Sequence, residues 1–160
     1  MTNSKSLFAI AIALLLPVSA MAKARTVQLS ITGPGLSEPI HTAAPSVISA
    51  SVWGGNFIEL DGGPVPEPDI SLPRYYIHFW VEASSWQEAP ADSVQMKYVV
   101  WYVWEPIEKR AFLYLPGQSD TWYRTNVRSI FRSGNEGNWF FASDMWGQVI
   151  RDVLRNAPDG

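Results

Sequence analysis

The side chains of this chain best suited to chemistry are the carboxylates Glu82, Glu105 and Glu108 and the imidazoles His41 and His78. Two carboxyl groups facing each other across a sugar–sugar bond are the working parts of a glycoside hydrolase, and a pair drawn from these three glutamates would supply them. Glu105 and Glu108, however, flank Pro106 in what reads as a solvated turn. His78 and Glu82 could share a metal ion. On a strand they point the same way but stand about 13 Å apart, at about 3.3 Å per residue, too far for one ion to take both. His41 lies on a different segment, and two histidines without a local partner read as satisfied structural groups. Arg124, Arg128 and Arg132 recur at every fourth position and would form a basic stripe on a helix, or share a face on a strand. An ordinary solvated face is the expected outcome. No metal site and no cofactor is implied.

The glycine motifs fail in the same way. Gly33-Pro34-Gly35 lacks the third glycine of a dinucleotide fingerprint, because Glu38 stands there, and no long helix follows. The segment 134–138 (GNEGN) has neither the Lys-Ser/Thr of a phosphate loop nor the carboxylate ladder of a calcium loop. Ser119, in Gly117-Gln118-Ser119-Asp120-Thr121, lacks the second glycine of a nucleophile elbow.

The N-terminus carries a different kind of information. Residues 1–6 are polar with one cation, Lys5; residues 7–18 (LFAIAIALLLPV) are apolar; and Ala20-Met21-Ala22 presents small residues at the positions a signal peptidase reads. The apolar run is too short to span a bilayer, which takes about 20 residues, and Pro17 breaks its end. This predicts a cleavable signal over residues 1–22, cut between Ala22 and Lys23, and a single globular domain over 23–160. The mature chain is expected in the periplasm or outside the cell, without insertion in a membrane.

Composition narrows the classes further. Removing Lys5 with the signal leaves 11 basic against 15 acidic residues, so the mature chain carries about −4, which argues against a nucleic-acid partner. There is no cysteine, so disulfide staples and thiol chemistry are excluded and stability must come from packing. All eight tryptophans follow the signal, and tryptophan serves both as core filler and as a ligand platform.

The elements that must position these side chains read as a small α+β domain: an antiparallel sheet or meander with hairpins, and one C-terminal amphipathic helix packed on it. Residues 25–32 alternate as a strand, Gly33-Pro34-Gly35 turns, and 36–42 return as a second arm that Pro39 confines to an edge. Pro45 opens a short helical stretch to residue 52, and 53–60 is ambiguous. Residues 61–73, rich in Pro and Gly, read as an extended loop within the domain. Strands over 74–83, 94–104 and 110–115 make a meander. Residues 122–132 allow a helix, but the GNEGN turn followed by Trp139-Phe140-Phe141-Ala142 favours a hairpin. The last helix starts at Ser143 as N-cap and buries a stripe of Trp146, Val149, Ile150, Val153 and Leu154.

In the order of these pieces the chain resembles a group of secreted bacterial proteins to which no activity is attached. The pieces are Ile31-Thr32-Gly33-Pro34-Gly35-Leu36, the Pro-rich loop, Tyr114-Leu115-Pro116-Gly117, Trp122-Tyr123-Arg124, and Trp139 leading into Ser143 and the helix. The resemblance implies a secreted protein and no particular chemistry.

Both faces of the central strands are bulky. Tyr75, Ile77, Phe79 and Val81 form a purely apolar face, expected in the core. The opposite face carries Tyr76, His78, Trp80 and Glu82, and on the next strand Gln95, Lys97, Val99, Trp101 and Val103. A half-solvated sheet would be polar there. Either a hairpin or loop covers this second face, or part of it stays open, with Tyr76, Trp80 and Trp101 as a platform for a sugar or peptide. The expected function is therefore a non-enzymatic binding or envelope-interaction module, its partner an envelope polymer or protein. The alternatives are a hydrolase of envelope polymers and an inhibitor presenting the loop 114–121 to a secreted enzyme.

Overall fold

The computed structural model describes residues 25–52, 57–82, 93–129 and 134–157, with the backbone alone for 128 and 129. The signal segment with its Ala22–Lys23 junction, Trp53, Trp86 and Arg132 lie outside the described residues, as does the side chain of Arg128.

Among the described residues seven strands form one antiparallel sheet: β1 Thr26–Thr32, β2 Ile40–Thr42, β3 Ile58–Glu59, β4 Tyr75–Glu82, β5 Val94–Glu105, β6 Arg110–Leu115 and β7 Asn138–Ala142. Their order across the sheet is β2-β1-β4-β5-β6-β7-β3. Three helices among the same residues complete an α+β fold, α1 Pro45–Ala50, α2 Tyr123–Ser129 and α3 Asp144–Arg155. Among the described residues no helix is long and apolar enough to cross a membrane.

The alternating strands deliver what they predict on the first face. Ile77, Phe79 and Val81 of β4 are buried, and Ile77 and Phe79 join Leu29, Val100, Leu113 and Phe140 against α1 and α3 in one core cluster. Trp146 and Ile150 anchor α3 there with no exposed surface, while Val149, Val153 and Leu154 pack at the margin. The Trp146 indole donates to Ser51 Oγ at 2.9 Å, which satisfies its one polar atom inside the core. Ser143 occupies the N-cap with an extended backbone but makes no side-chain cap bond, and its hydroxyl is buried without a partner. Asp144 in the first turn and Arg155 in the last complement the helix dipole.

Two features depart from the sequence reading. The described part of the stretch expected as a hairpin arm is instead helical, Tyr123–Ser129, and β7 pairs with β6 and β3; residues 130–132 lie outside the described residues. The strand-like run 139–142 does need a partner, but the free flank of β6 supplies it. The second departure is a bulge between β4 and β5. Phe79 lies opposite Tyr98 but Trp80 lies opposite Met96, so Lys97 is an extra residue in β5. The alternation therefore reverses below Val99: Gln95 pairs with Val81 on the first face, and Met96 pairs with Trp80 on the second.

Candidate functional site

The register places a row of aromatic rings straight across the second face. Thr32 lies opposite Tyr76, Tyr76 opposite Trp101, Trp101 opposite Tyr114, and Tyr114 opposite Trp139. Side chains directly opposite on antiparallel strands are the closest neighbours a sheet offers. Tyr76 meets Trp101 edge-on at 5.6 Å between centroids, Trp101 meets Tyr114 at 4.7 Å, and Tyr114 meets Trp139 at 5.2 Å. The Arg74 guanidinium stands 5.4 Å over the Trp139 ring and is 2.8 Å from a Glu67 carboxylate oxygen, an ion pair by distance that lacks hydrogen-bond alignment.

Two covers lie on this row. The Pro-rich loop lies over its Trp139 end, where Val65 N donates to Trp139 O at 2.8 Å and Val65 and Leu72 pack against Val103, Phe112 and Trp139. The segment 116–129 covers the other flank of β5, where Trp122 stands edge-on to His78 at 5.4 Å and Asn126 is bonded to Val99. Between the covers a recess of about 220 Å³ is left, lined by Tyr76, Trp101, Ser119, Asp120, Thr121 and Trp122. Tyr76 is 37% exposed at its mouth. The Trp101 indole N–H is buried beside it with no hydrogen-bond partner.

The wall of the recess is a folded turn. Asp120 Oδ2 accepts from the Tyr114 hydroxyl at 2.8 Å and from Gly117 N at 2.6 Å, while Asp120 N donates to Gly117 O at 2.9 Å. A Cβ on Gly117 would lie 2.8 Å from Gly137 Cα, so only glycine lets the two loops touch. Burial and the bond to Asp120 push the Tyr114 phenol above its ordinary pKa, so it stays a donor. One Asp120 oxygen carries both structural bonds, and among the described residues the other makes no hydrogen bond. The turn 116–120 is thus tucked onto the sheet, with Pro116 and Gly117 buried.

Of the three predicted platform residues, Tyr76 and Trp101 come together in the recess, while Trp80 stands elsewhere on the same face. Its indole donates to Ser30 Oγ at 2.8 Å, and it does not line the recess. Asp120, Ser119, Thr121 and Trp122 were not singled out as binding residues from sequence. The usable signal was an Asp three residues after a glycine, the spacing of a side chain that closes its own turn.

The other candidates do not converge. Glu82 pairs with Arg25 at 3.5 Å and lies opposite Val94, whereas Glu105 ends the same strand, ~35 Å away at 3.3 Å per residue. Glu105 caps its own turn by accepting from Ile107 N and Glu108 N. His41 and His78 both lie opposite Ser30, one on each side of β1. His41 Nδ1 is 2.9 Å from Gln28 Nε2, and His78 Nε2 is 3.4 Å from Thr32 Oγ1. Burial holds the His78 imidazole below its ordinary pKa. Among the described residues no three His, Cys, Asp or Glu side chains cluster as a metal site. Arg124 is exposed on α2 and does not line the recess. A wider groove of about 460 Å³ separates β2 from α1 and the end of α3; its walls include Ile40, His41, Val47, Val149 and Val153 but no Phe, Tyr or Trp.

Fold and recess together define the class: a mostly sheet α+β domain whose second face carries a transverse aromatic row with a recess at its Tyr76 end. The chain matches no protein-family model, no curated protein and no solved structure.

Proposed function

We propose that the protein is an exported, non-enzymatic module that binds a component of the cell envelope through the recess at Tyr76 and Trp101. The observation that carries this reading is the opening at one end of the aromatic row. Trp139 is buried under the Pro-rich loop and Trp101 and Tyr114 are half-buried, while Tyr76, the most exposed ring of the row, stands with Trp101 at an open mouth beside a carboxylate and two hydroxyls. A core needs no such mouth, and rings with one polar end suit half-wet surfaces. Export is supported by the three-zone N-terminal segment and its Ala20-Met21-Ala22 ending.

The rival readings have less support. A hydrolase needs two carboxyl groups about 5–10 Å apart, and Glu82 and Glu105 stand at opposite ends of β5. An inhibitor loop must project, whereas the turn at 116–120 is bonded back to Tyr114 and buried in part. The test is cosedimentation of the purified mature protein with isolated envelope fragments. Wild type is expected in the pellet and Tyr76→Ala in the supernatant, with the melting temperatures close. Equal retention of both proteins removes the recess from the reading.

A further inference from the structure

We infer that the recess takes one uncharged pyranose ring of a glycan, seated against Tyr76, Trp101 and Trp122 with its hydroxyls donating to Asp120. This rests on the binding reading above and names the ligand chemistry of that same site. The recess, at about 220 Å³, has room for roughly seven waters at about 30 Å³ each, the scale of a single six-membered sugar ring. Its walls match the two surfaces of such a ring. A pyranose with equatorial substituents presents flat C–H faces, which pack on aromatic rings, and an equator of hydroxyls, which need acceptors and donors. Tyr76 and Trp101, inclined at 74°, form an aromatic corner, and Trp122 stands on the opposite cover. Ser119 and Thr121 offer hydroxyls that donate and accept, and Asp120 offers an acceptor.

The charge on the wall selects among sugars. Among the described residues Asp120 is the one charged residue lining the recess, and neither Arg74 nor Arg124 lines it. A uronate or phosphate-bearing sugar would place its anion against a carboxylate. A compact quaternary ammonium ion is the rival that a carboxylate and three rings would also attract. Such an ion has no N–H to donate and leaves both hydroxyl walls without a hydrogen bond, so the sugar is the better match.

Asp120→Asn provides a clean probe. The amide oxygen can accept from Tyr114 and Gly117 as Oδ2 does, so the turn keeps its bonds, while the other carboxylate oxygen becomes an NH₂ donor. Ligand-observed NMR and isothermal titration would be run on wild type, Tyr76→Ala and Asp120→Asn. The probes are a β-1,4 tetramer of N-acetylglucosamine, a β-1,4 tetramer of glucose, and tetramethylammonium. The expected result is binding of at least one tetramer, weakened about tenfold or more in Asp120→Asn and lost in Tyr76→Ala, with both variants melting near wild type. Asp120→Asn unfolding would be answered by Ser119→Ala with Thr121→Val, which should weaken the same tetramer. Binding of tetramethylammonium alone overturns the sugar assignment and leaves the recess as a cation site. If neither tetramer binds while Tyr76→Ala still abolishes envelope cosedimentation, the recess binds another envelope component and the pyranose inference is wrong. If Tyr76→Ala changes neither assay, the binding reading itself fails.

Discussion

Asn126 pairs with Val99 as a neighbouring strand would: its amide Nδ2 donates to Val99 O at 2.6 Å and its Oδ1 accepts from Val99 N at 2.9 Å. The reason lies in strand lengths. β6 ends at Leu115, opposite the stretch of β5 that begins at Val100, so β5 below that point has no strand on its β6 flank. One side chain from α2 supplies the missing pair, and both residues are buried. Asn126→Ala would leave an N–H and a C=O of β5 unpaired in the interior. At about 1–3 kcal/mol for each of the two orphaned groups, the loss should be about 2–6 kcal/mol, roughly 10 °C or more in melting temperature. An unchanged melting curve would mean that the pair contributes nothing.

This pair also explains where the sequence was legible. The first-face residues of β4 and the stripe on α3 obey single periods, so Ile77, Phe79, Trp146 and Ile150 could be placed in the core by counting. Pro39 placed β2 at an edge because a missing N–H cannot serve a central strand. Residues 122–132 could not be decided that way. Their helix is held by a long-range bond between Asn126 and Val99, and an asparagine on a short polar helix carries no periodic signal. The bulge at Lys97 is hidden for the same reason, since it is a property of two strands rather than of one. The recess inherits both uncertainties: Tyr76 and Trp101 were visible as bulky residues on a second face, but the wall at 119–122 depends on how α2 docks.

Gly147 on α3 sits against Ala111 of β6, and a Cβ built there would lie 2.8 Å from the Ala111 methyl. Its carbonyl accepts from the Tyr102 hydroxyl at 2.8 Å, and burial pushes that phenol well above its ordinary pKa. Glycine to alanine within an exposed helix stabilises by about 1 kcal/mol. Here the sign should reverse, because helix and sheet must part to admit the methyl, a strain of about 1–3 kcal/mol. Gly147→Ala is expected to melt below wild type, and adding Ala111→Gly should recover part of the loss. A stabilised Gly147→Ala would show that α3 is not held close to β6.

His78 makes stability depend on pH. Its folded pKa lies below the unfolded value of about 6.5, because burial under Trp122 penalises the charged ring. The unfolded chain therefore binds the proton first, and stability falls as pH drops through about 6.5 toward the folded value. Ser30, Thr32, Val99 and Trp122, its neighbours on β1, β5 and the turn before α2, carry no charge that would offset this. The contribution is fully present above the unfolded value. Wild type should lose more stability than His78→Gln between pH 8 and pH 5, measured by urea denaturation at each pH. Parallel losses would assign the dependence to the carboxylates instead.

The apolar stripe of α3 allows a graded test of how the helix docks. Ile150 has no exposed surface and belongs to the core cluster between α1 and the sheet. Val149, its neighbour in the chain, is only partly buried and lines the open groove beside β2. An aspartate at 150 would be a buried charge without a partner, and the side chain would either protonate or pull the helix off the sheet. At 149 the same carboxylate can turn into the groove and stay hydrated. Ile150→Asp is therefore expected to cost several kcal/mol and leave little folded protein at 37 °C, as judged by near-ultraviolet circular dichroism of the tryptophans. Val149→Asp should lower the melting temperature by only a few degrees. Equal damage from both would mean that the groove closes over Val149 in solution, and equal tolerance would mean that α3 does not dock by this stripe at all.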